Sequence, residues 1–212
     1  MIRVLIVDDH AIVREGLANV LATEKDLVVA GQAASGAEAL QQIRNGRVDV
    51  VLLDMTMPGM NGMETLKQIK VERSELPVLI LSMHPEEQYA VRCIKAGASG
   101  YLTKACERAV LVEAVRRAAA GGQYLTPSVG ECLLQEVQQK RGGEEPHRRL
   151  SDREFEVFQQ IAAGVALADM AQRMNLSPKT ISTYRLRILE KMGLASNAEL
   201  MRYAFDRGLV GT

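Results

Sequence analysis

Five short, almost wholly apolar runs punctuate the first 120 or so residues, and they restrict the fold more than any other feature of the chain. They occupy residues 2–7, 28–33, 48–53, 78–81 and 100–103. A strand with one face in water alternates apolar and polar side chains, whereas a strand covered on both faces does not. Between and after these runs lie segments of helical length and spacing, at 11–22, 37–45, 63–71, 86–96 and 108–120. Ser35 and Glu38 stand at the spacing of a capping box before the second of them. Five β-then-α units demand right-handed crossovers. The expectation is therefore α/β: a doubly wound, five-stranded parallel sheet with helices on both faces.

The texture changes after Gly121-Gly122. Residues 127–140 have the length of one further helix, and 141–149 carry no apolar periodicity and read as a solvated linker. From Leu150 onward only helical patterns occur, at 152–163, 167–174, 178–192 and 197–207. The expected organisation is an α/β domain at 1–122, a linker at 123–149 and an all-α four-helix domain at 150–212.

Composition removes several classes. The 212 residues hold 26 basic and 26 acidic side chains, so no global charge drives the chain to nucleic acid or membrane. The asymmetry between halves is small: 17 basic against 19 acidic residues in 1–148, nine against seven in 149–212. No apolar run approaches the ~18 residues of a membrane span. The apolar run at 2–7 ends at Asp8-Asp9, unlike the core of a secretory signal. Cys93, Cys106 and Cys132 form no CxxC pair, which argues against a disulfide framework and for a reducing cytoplasm.

In a doubly wound sheet the functional site lies at the carboxyl ends of the strands. Here the first strand ends in Asp8-Asp9, the third in Asp54 and the fourth in Ser82, and Lys104 follows the fifth. Three converging carboxylates repel one another, and a divalent cation relieves that repulsion. Few, oxygen-only ligands in a partly open site suit Mg²⁺. A metal and an ammonium on phosphoryl oxygens, with a carboxylate as acceptor, would support phosphoryl transfer. Any one of these residues has a plainer role, and Asp9 would serve as an N-cap. Capping explains neither the lysine nor the serine.

The helical half contains helix, tight turn, helix, with Ser177 as N-cap and Pro178 at the first helical position. At 100° per residue, Ile181, Arg185, Ile188, Leu189 and Met192 share one side. Lys179, Ser182, Thr183, Leu186, Arg187 and Glu190 share the other. Slim polar side chains flanked by cations are what a helix entering a major groove needs. The candidate DNA contacts are Lys179, Thr180, Ser182, Thr183, Leu186, Arg187 and Lys191. A solvated helix in an ordinary bundle has a similar pattern. Arg185 projects to the packing side and is the weaker contact.

These residues carry a resemblance. Val7-Asp8-Asp9-His10, Leu53-Asp54-Met55-Thr56-Met57-Pro58-Gly59-Met60-Asn61-Gly62, Leu81-Ser82-Met83 and Gly100-Tyr101-Leu102-Thr103-Lys104 resemble the receiver domain of two-component response regulators, which has a flavodoxin-like fold. The resemblance implies Asp54 as phosphoacceptor, and Asp9, Asp54 and the Thr56 carbonyl as direct Mg²⁺ ligands. It implies that Asp8 acts through a bound water and that Lys104 pairs with the acyl phosphate. Ser82 and Tyr101 would be the switch pair, and Thr56 and His84 would tune the phosphate's lifetime. Ala105 stands where many receivers have proline after the lysine, so a cis peptide is not expected there.

Leu150-Ser151-Asp152-Arg153-Glu154-Phe155-Glu156-Val157, Ala168-Asp169-Met170-Ala171, the run from Leu176 to Tyr184, Ile188-Leu189-Glu190-Lys191-Met192 and Asn197-Ala198-Glu199-Leu200 resemble the LuxR-type helix-turn-helix. Receiver plus this module is similar to the NarL/FixJ class, with a tail like that of the GacA and UvrY branch. The resemblance implies a transcription factor rather than an enzyme. Its partners would be a sensor histidine kinase, double-stranded DNA, a second copy when phosphorylated, and RNA polymerase. The last helix would pair two DNA-binding domains, or its Leu200, Tyr203 and Ala204 would close the bundle. Two rivals stand beside this reading. A haloacid-dehalogenase-type phosphatase would want Asp-x-Asp at its nucleophile, and a receiver that no longer takes phosphate would have no use for the full acidic set.

Overall fold

The computed structural model describes residues 1–83, 86–139 and 145–209. The chain divides into two compact units, Met1–Leu133 and Leu134–Thr212.

The first unit holds β1 (Ile2–Val7), α1 (Ala11–Ala22), β2 (Leu27–Ala33), α2 (Gly36–Asn45), β3 (Val50–Asp54), α3 (Gly62–Glu72), β4 (Val78–Ser82), α4 (Glu86–Lys95), β5 (Gly100–Thr103) and α5 (Arg108–Ala119). The sheet is all parallel in the order β2-β1-β3-β4-β5. The order reverses between β1 and β3, which is where such sheets open a crevice. Side-chain alternation sorts the strands between two cores. Val4, Ile6, Leu52, Leu79, Leu81 and Leu102 pack with Leu21 of α1 and with Leu111, Val112 and Val115 of α5. Leu5, Leu53, Ile80 and Tyr101, one residue out of phase, are fully buried on the opposite face.

Each apolar run therefore forms a strand as expected, with ends displaced by no more than two residues. Ser35 caps α2 by accepting from Glu38 N–H, and the Glu38 carboxylate reaches back to Ala34 N–H. A helix α6 (Pro127–Gln139) follows α5. Val129 on it is buried, and Tyr124 just before it donates its N–H to Ser99 O at 2.8 Å, forming a parallel bridge to Gly100 at the β5 edge. A Cβ on Gly100 would lie 2.6 Å from the Tyr124 carbonyl, so glycine is what lets this segment approach. Residues 123–133, drawn with the linker from their composition, fall within the first unit.

Beyond the end of α6, the second unit holds a 3₁₀ turn (Pro146–Arg149), then α7 (Asp152–Ala162), α8 (Leu167–Arg173), α9 (Pro178–Met192) and α10 (Asn197–Asp206). Its core is Phe155, Phe158, Ile161, Met170, Ile181, Ile188 and Leu200. Capping sets its helix starts: Ser151, Ser177 and Ser196 each accept from the backbone N–H three residues on. Gly193 ends α9 at φ 66°, in the left-handed region where a Cβ is penalised. Among the described residues no helix is long and apolar enough to cross a membrane.

Candidate functional site

The carboxyl ends of β1 and β3 and the residue after β5 meet in the first unit. Asp8 and Asp54 are buried, Asp54 with only 2% of its surface exposed. Lys104 Nζ lies 2.6 Å from Asp8 Oδ2 and 3.0 Å from Asp54 Oδ1. Backbone pairing sets this register: Lys104 N–H donates to Ser82 O at 2.8 Å, and Met55 N–H to Leu81 O at 3.2 Å. Carboxylate oxygens of Asp8, Asp9 and Asp54 and a ring nitrogen of His10 all lie within 4.8 Å of one another.

Burial drives the electrostatics. It is the main cause, with the nearby Asp8 charge, that pushes the Asp54 carboxyl up to about 6 against the lowering effects of Lys104 and the Thr56 N–H. Burial alone would lower the Lys104 ammonium, but Asp8 and Asp54 outweigh it and hold the ammonium above its ordinary value.

Asp54 Oδ2 is buried and accepts no hydrogen bond. Asp8 Oδ2 and Asp9 Oδ1 meet Lys104 and His10 at ion-pair distance, yet neither receives an aligned hydrogen bond. Three buried carboxylate oxygens from one tight cluster of acidic residues fit a hard divalent cation.

Ser82 is buried at the end of β4 and paired in register with Thr103. Tyr101 is fully buried on the sheet face opposite Leu102. Thr56 is exposed, two residues past the end of the strand that carries Asp54. The loop that follows turns through Gly59 at φ 74° and returns to the strand at Gly62, whose N–H donates to Met55 O at 3.0 Å. A Cβ on Gly62 would lie 2.3 Å from the Asp54 carbonyl, so this glycine lets α3 start against the acceptor strand. Asn61 and Glu64 close a capping box there.

His84 lies outside the described residues. No described peptide is cis, in keeping with Ala105 after the lysine. His10 has no expected role from the sequence, yet its Nδ1 sits 2.9 Å from Asp9 Oδ1 and 3.3 Å from Asp8 Oδ1. Its adjacency to Asp9 was the available signal. Arg14, one turn into α1, donates to the Asp8 carbonyl at 2.7 Å.

In the second unit α9 divides as its periodicity foretold. Ile181, Ile188, Leu189 and Met192 are buried, and Lys179, Ser182, Thr183, Leu186 and Arg187 are exposed, Leu186 by 62%. A shallow concavity of about 330 Å³ is lined by Ser177, Lys179, Thr180, Thr183, Tyr184 and Arg187. The Ser182 and Thr183 hydroxyls donate back to the carbonyls of Pro178 and Lys179, both at 3.0 Å, and Thr180 shares a 2.8 Å hydroxyl contact with Ser177. Lys191 stands apart from this set: its ammonium lies 2.7 Å from Glu154 Oε2. Arg185 turns to Asn197, with Nε 2.6 Å from Oδ1. On α10, Leu200 and Ala204 are fully buried and Tyr203 is partly buried against His147 and Phe158, so these positions close the bundle. Met201 and Phe205 are the large apolar side chains α10 exposes, Phe205 by 75%.

The response regulator receiver domain model matches residues 4–116, and that of the bacterial regulatory proteins of the luxR family matches residues 148–204. The chain belongs to the NarL/FixJ class of two-component response regulators. It is 37% identical over 210 residues to the response regulator GacA of Pseudomonas viridiflava, covering 99% of this chain and 98% of that one. It is 34% identical to the response regulator UvrY of Escherichia coli K12, covering 99% and 96%. Among solved structures it is similar to RcsB of Salmonella enterica serovar Typhimurium bound to promoter rprA in the presence of the phosphomimetic BeF3-, with a TM-score of 0.65, 25% identity, and coverage of 96% and 98%. This response regulator thus joins a receiver of five parallel strands to a helical LuxR-type DNA-binding domain, and it is a transcription factor rather than an enzyme.

Proposed function

We propose that a sensor histidine kinase donates a phosphoryl group to Asp54 and that the resulting acyl phosphate controls dimerisation and sequence-specific binding of double-stranded DNA. The observation that carries this reading is the Lys104 ammonium spanning Asp8 and Asp54, at 2.6 and 3.0 Å, beside a buried Asp54 oxygen that accepts no hydrogen bond. In the reaction one Asp54 oxygen bonds to phosphorus, the bond from phosphorus to the donor nitrogen breaks, and the imidazole leaves with its electron pair. Nucleophilic attack needs the carboxylate, and the Lys104 charge favours that form against burial. Asp8 and Asp9, with Asp54 and the Thr56 carbonyl, would hold Mg²⁺; when bound it supplies positive charge to the phosphoryl oxygens. The acyl phosphate carries about two negative charges where the carboxylate carried one. Lys104 follows as counter-ion, the Ser82 hydroxyl bonds the new oxygens, and Tyr101 packs behind Ser82. This shift in the β4 and β5 ends biases the receiver toward pairing with a second copy.

DNA binding is assigned to the exposed face of α9, with Lys179 and Arg187 on phosphates and Thr183 near base edges. RcsB, a relative, was solved on promoter DNA, which supports this assignment. RNA polymerase is a further partner of a regulator of this kind. DNA as target and cysteines that form no disulfide support action in the cytoplasm.

The test is incubation of the full chain with acetyl phosphate and Mg²⁺, read by phosphate-affinity electrophoresis. A mobility shift lost in Asp54→Ala and on chelation supports the reading. A shift that persists in Asp54→Ala sinks it.

A further inference from the structure

The first turn of α7 and the last turn of α9 meet at one buried carboxylate. Glu154 closes the α7 capping box, with its Oε2 taking the Ser151 N–H at 2.7 Å. The same oxygen takes Lys191 Nζ at 2.7 Å. The Glu154 side chain is only 4% exposed and that of Lys191 41% exposed. A carboxylate this deep keeps its charge only with such partners, and removing one leaves the other uncompensated.

A second tie lies two turns back along α9. Arg185 Nε donates to Asn197 Oδ1 at 2.6 Å, and Asn197 is the first residue of α10. Alongside the two ties runs the buried apolar seam of Ile181, Ile188, Leu189 and Met192. Apolar burial is non-directional, so a seam of this kind holds a helix down but sets its rotation loosely. Hydrogen bonds to charged groups are directional and short. The pair of ties therefore sets which residues α9 turns outward.

We propose that Lys191 and Arg185 are positioning residues for base reading, acting through Glu154 and Asn197, and that Lys191 does not neutralise a DNA phosphate. This rests on the reading of α9 as the helix that enters the groove. Rotating α9 by a fraction of a turn would carry Thr183 off the base edges. Lys179 and Arg187, on long flexible side chains, would still reach the phosphates. Loss of the tie then costs discrimination between sequences and spares sequence-independent attraction.

The experiment compares the full chain and its variants on two duplexes of about 30 base pairs. One is enriched from a random pool by the parent protein, and the other is its scrambled counterpart. Binding is titrated from about 50 to about 200 mM salt. Lys191→Met is expected to bind the enriched duplex about tenfold more weakly, with parental affinity for the scrambled duplex and a parental salt slope. Lys191→Arg restores the enriched-duplex affinity. Asn197→Ala, which breaks the other tie without touching a charge, gives the same pattern as Lys191→Met. Lys179→Ala, the phosphate control, weakens both duplexes and flattens the salt slope by about one unit. The proposal is overturned if Lys191→Met flattens the slope by about one and weakens both duplexes equally. Parental binding of both duplexes by Lys191→Met and Asn197→Ala overturns it as well. If instead Lys179→Ala binds both duplexes as the parent does, it is the groove reading of α9 that fails.

Discussion

The acidic rim of the receiver and the outer face of α9 do their work on opposite terms. At the rim, Asp8, Asp54 and Ser82 are buried and their partners come from strands far apart in sequence. On α9, Lys179, Thr183, Leu186 and Arg187 are exposed and neighbours in one helix. A buried charged group is coupled to folding, because its solvation and its partners change when the chain unfolds. An exposed helical side chain is nearly decoupled from folding. The rim therefore should not change function without changing stability, whereas the α9 face should.

Five substitutions break or sharpen that contrast, from the largest expected effect to the smallest. Lys104→Met removes the shared counter-ion of Asp8 and Asp54 and should destabilise the chain by about 3–5 kcal/mol at pH 8, read by urea denaturation. A loss no larger than that of an α9-face variant would erase the contrast.

Asp54→Asn should act in the opposite direction. The folded carboxyl is raised to about 6 from an ordinary 3.8. A raised acid binds its proton more tightly folded than unfolded, so ionisation above about 6 opposes folding. That penalty is absent below the ordinary value and fully present above the folded one. Replacing Asp54 should thus stabilise the chain by about 2–3 kcal/mol at pH 8, with the gain fading as pH falls through 6 toward 4. Mg²⁺ should stabilise the parent more at pH 8 than at pH 5, and Asp54→Asn less than the parent at pH 8. A pH-independent gain would show that the raised carboxyl is not its source.

Ser177→Ala tests the border between the two regimes. It removes the hydroxyl that accepts Thr180 N–H at 3.1 Å at the start of α9, and should cost about 1 kcal/mol in thermal unfolding. Last, Thr183→Ala and Arg187→Ala should each leave stability within about 0.5 kcal/mol of the parent. Thr183→Ala should change base preference by about 1–3 kcal/mol at one position of an enriched site. A stability loss comparable to that of Ser177→Ala would mean that the face is structural after all.

The strands and helices of both units were legible because each pattern is local. A run apolar on both faces can only be covered on both faces, and the α9 seam repeats with the helical period. The ends of those strands were legible for the same reason, and with them Asp8, Asp9, Asp54, Ser82 and Lys104. Partner choice was not. In sequence Lys191 is one more basic residue of α9, and its partner Glu154 lies 37 positions earlier. Arg185 had a side but no partner until Asn197 appeared. Tyr124 carried no signal for its place at the β5 edge, since the bridge is made by backbone groups that every residue has.

Periodicity and the order of strand ends thus specified the architecture, the acidic set and the outward face of α9, all of which depend on near neighbours along the chain. Folding in three dimensions settled which carboxylates Lys104 spans, that burial raises Asp54, and which neighbours Lys191 and Arg185 pair with. Those properties depend on distance through space and on exclusion of water, and a linear order of residues contains neither.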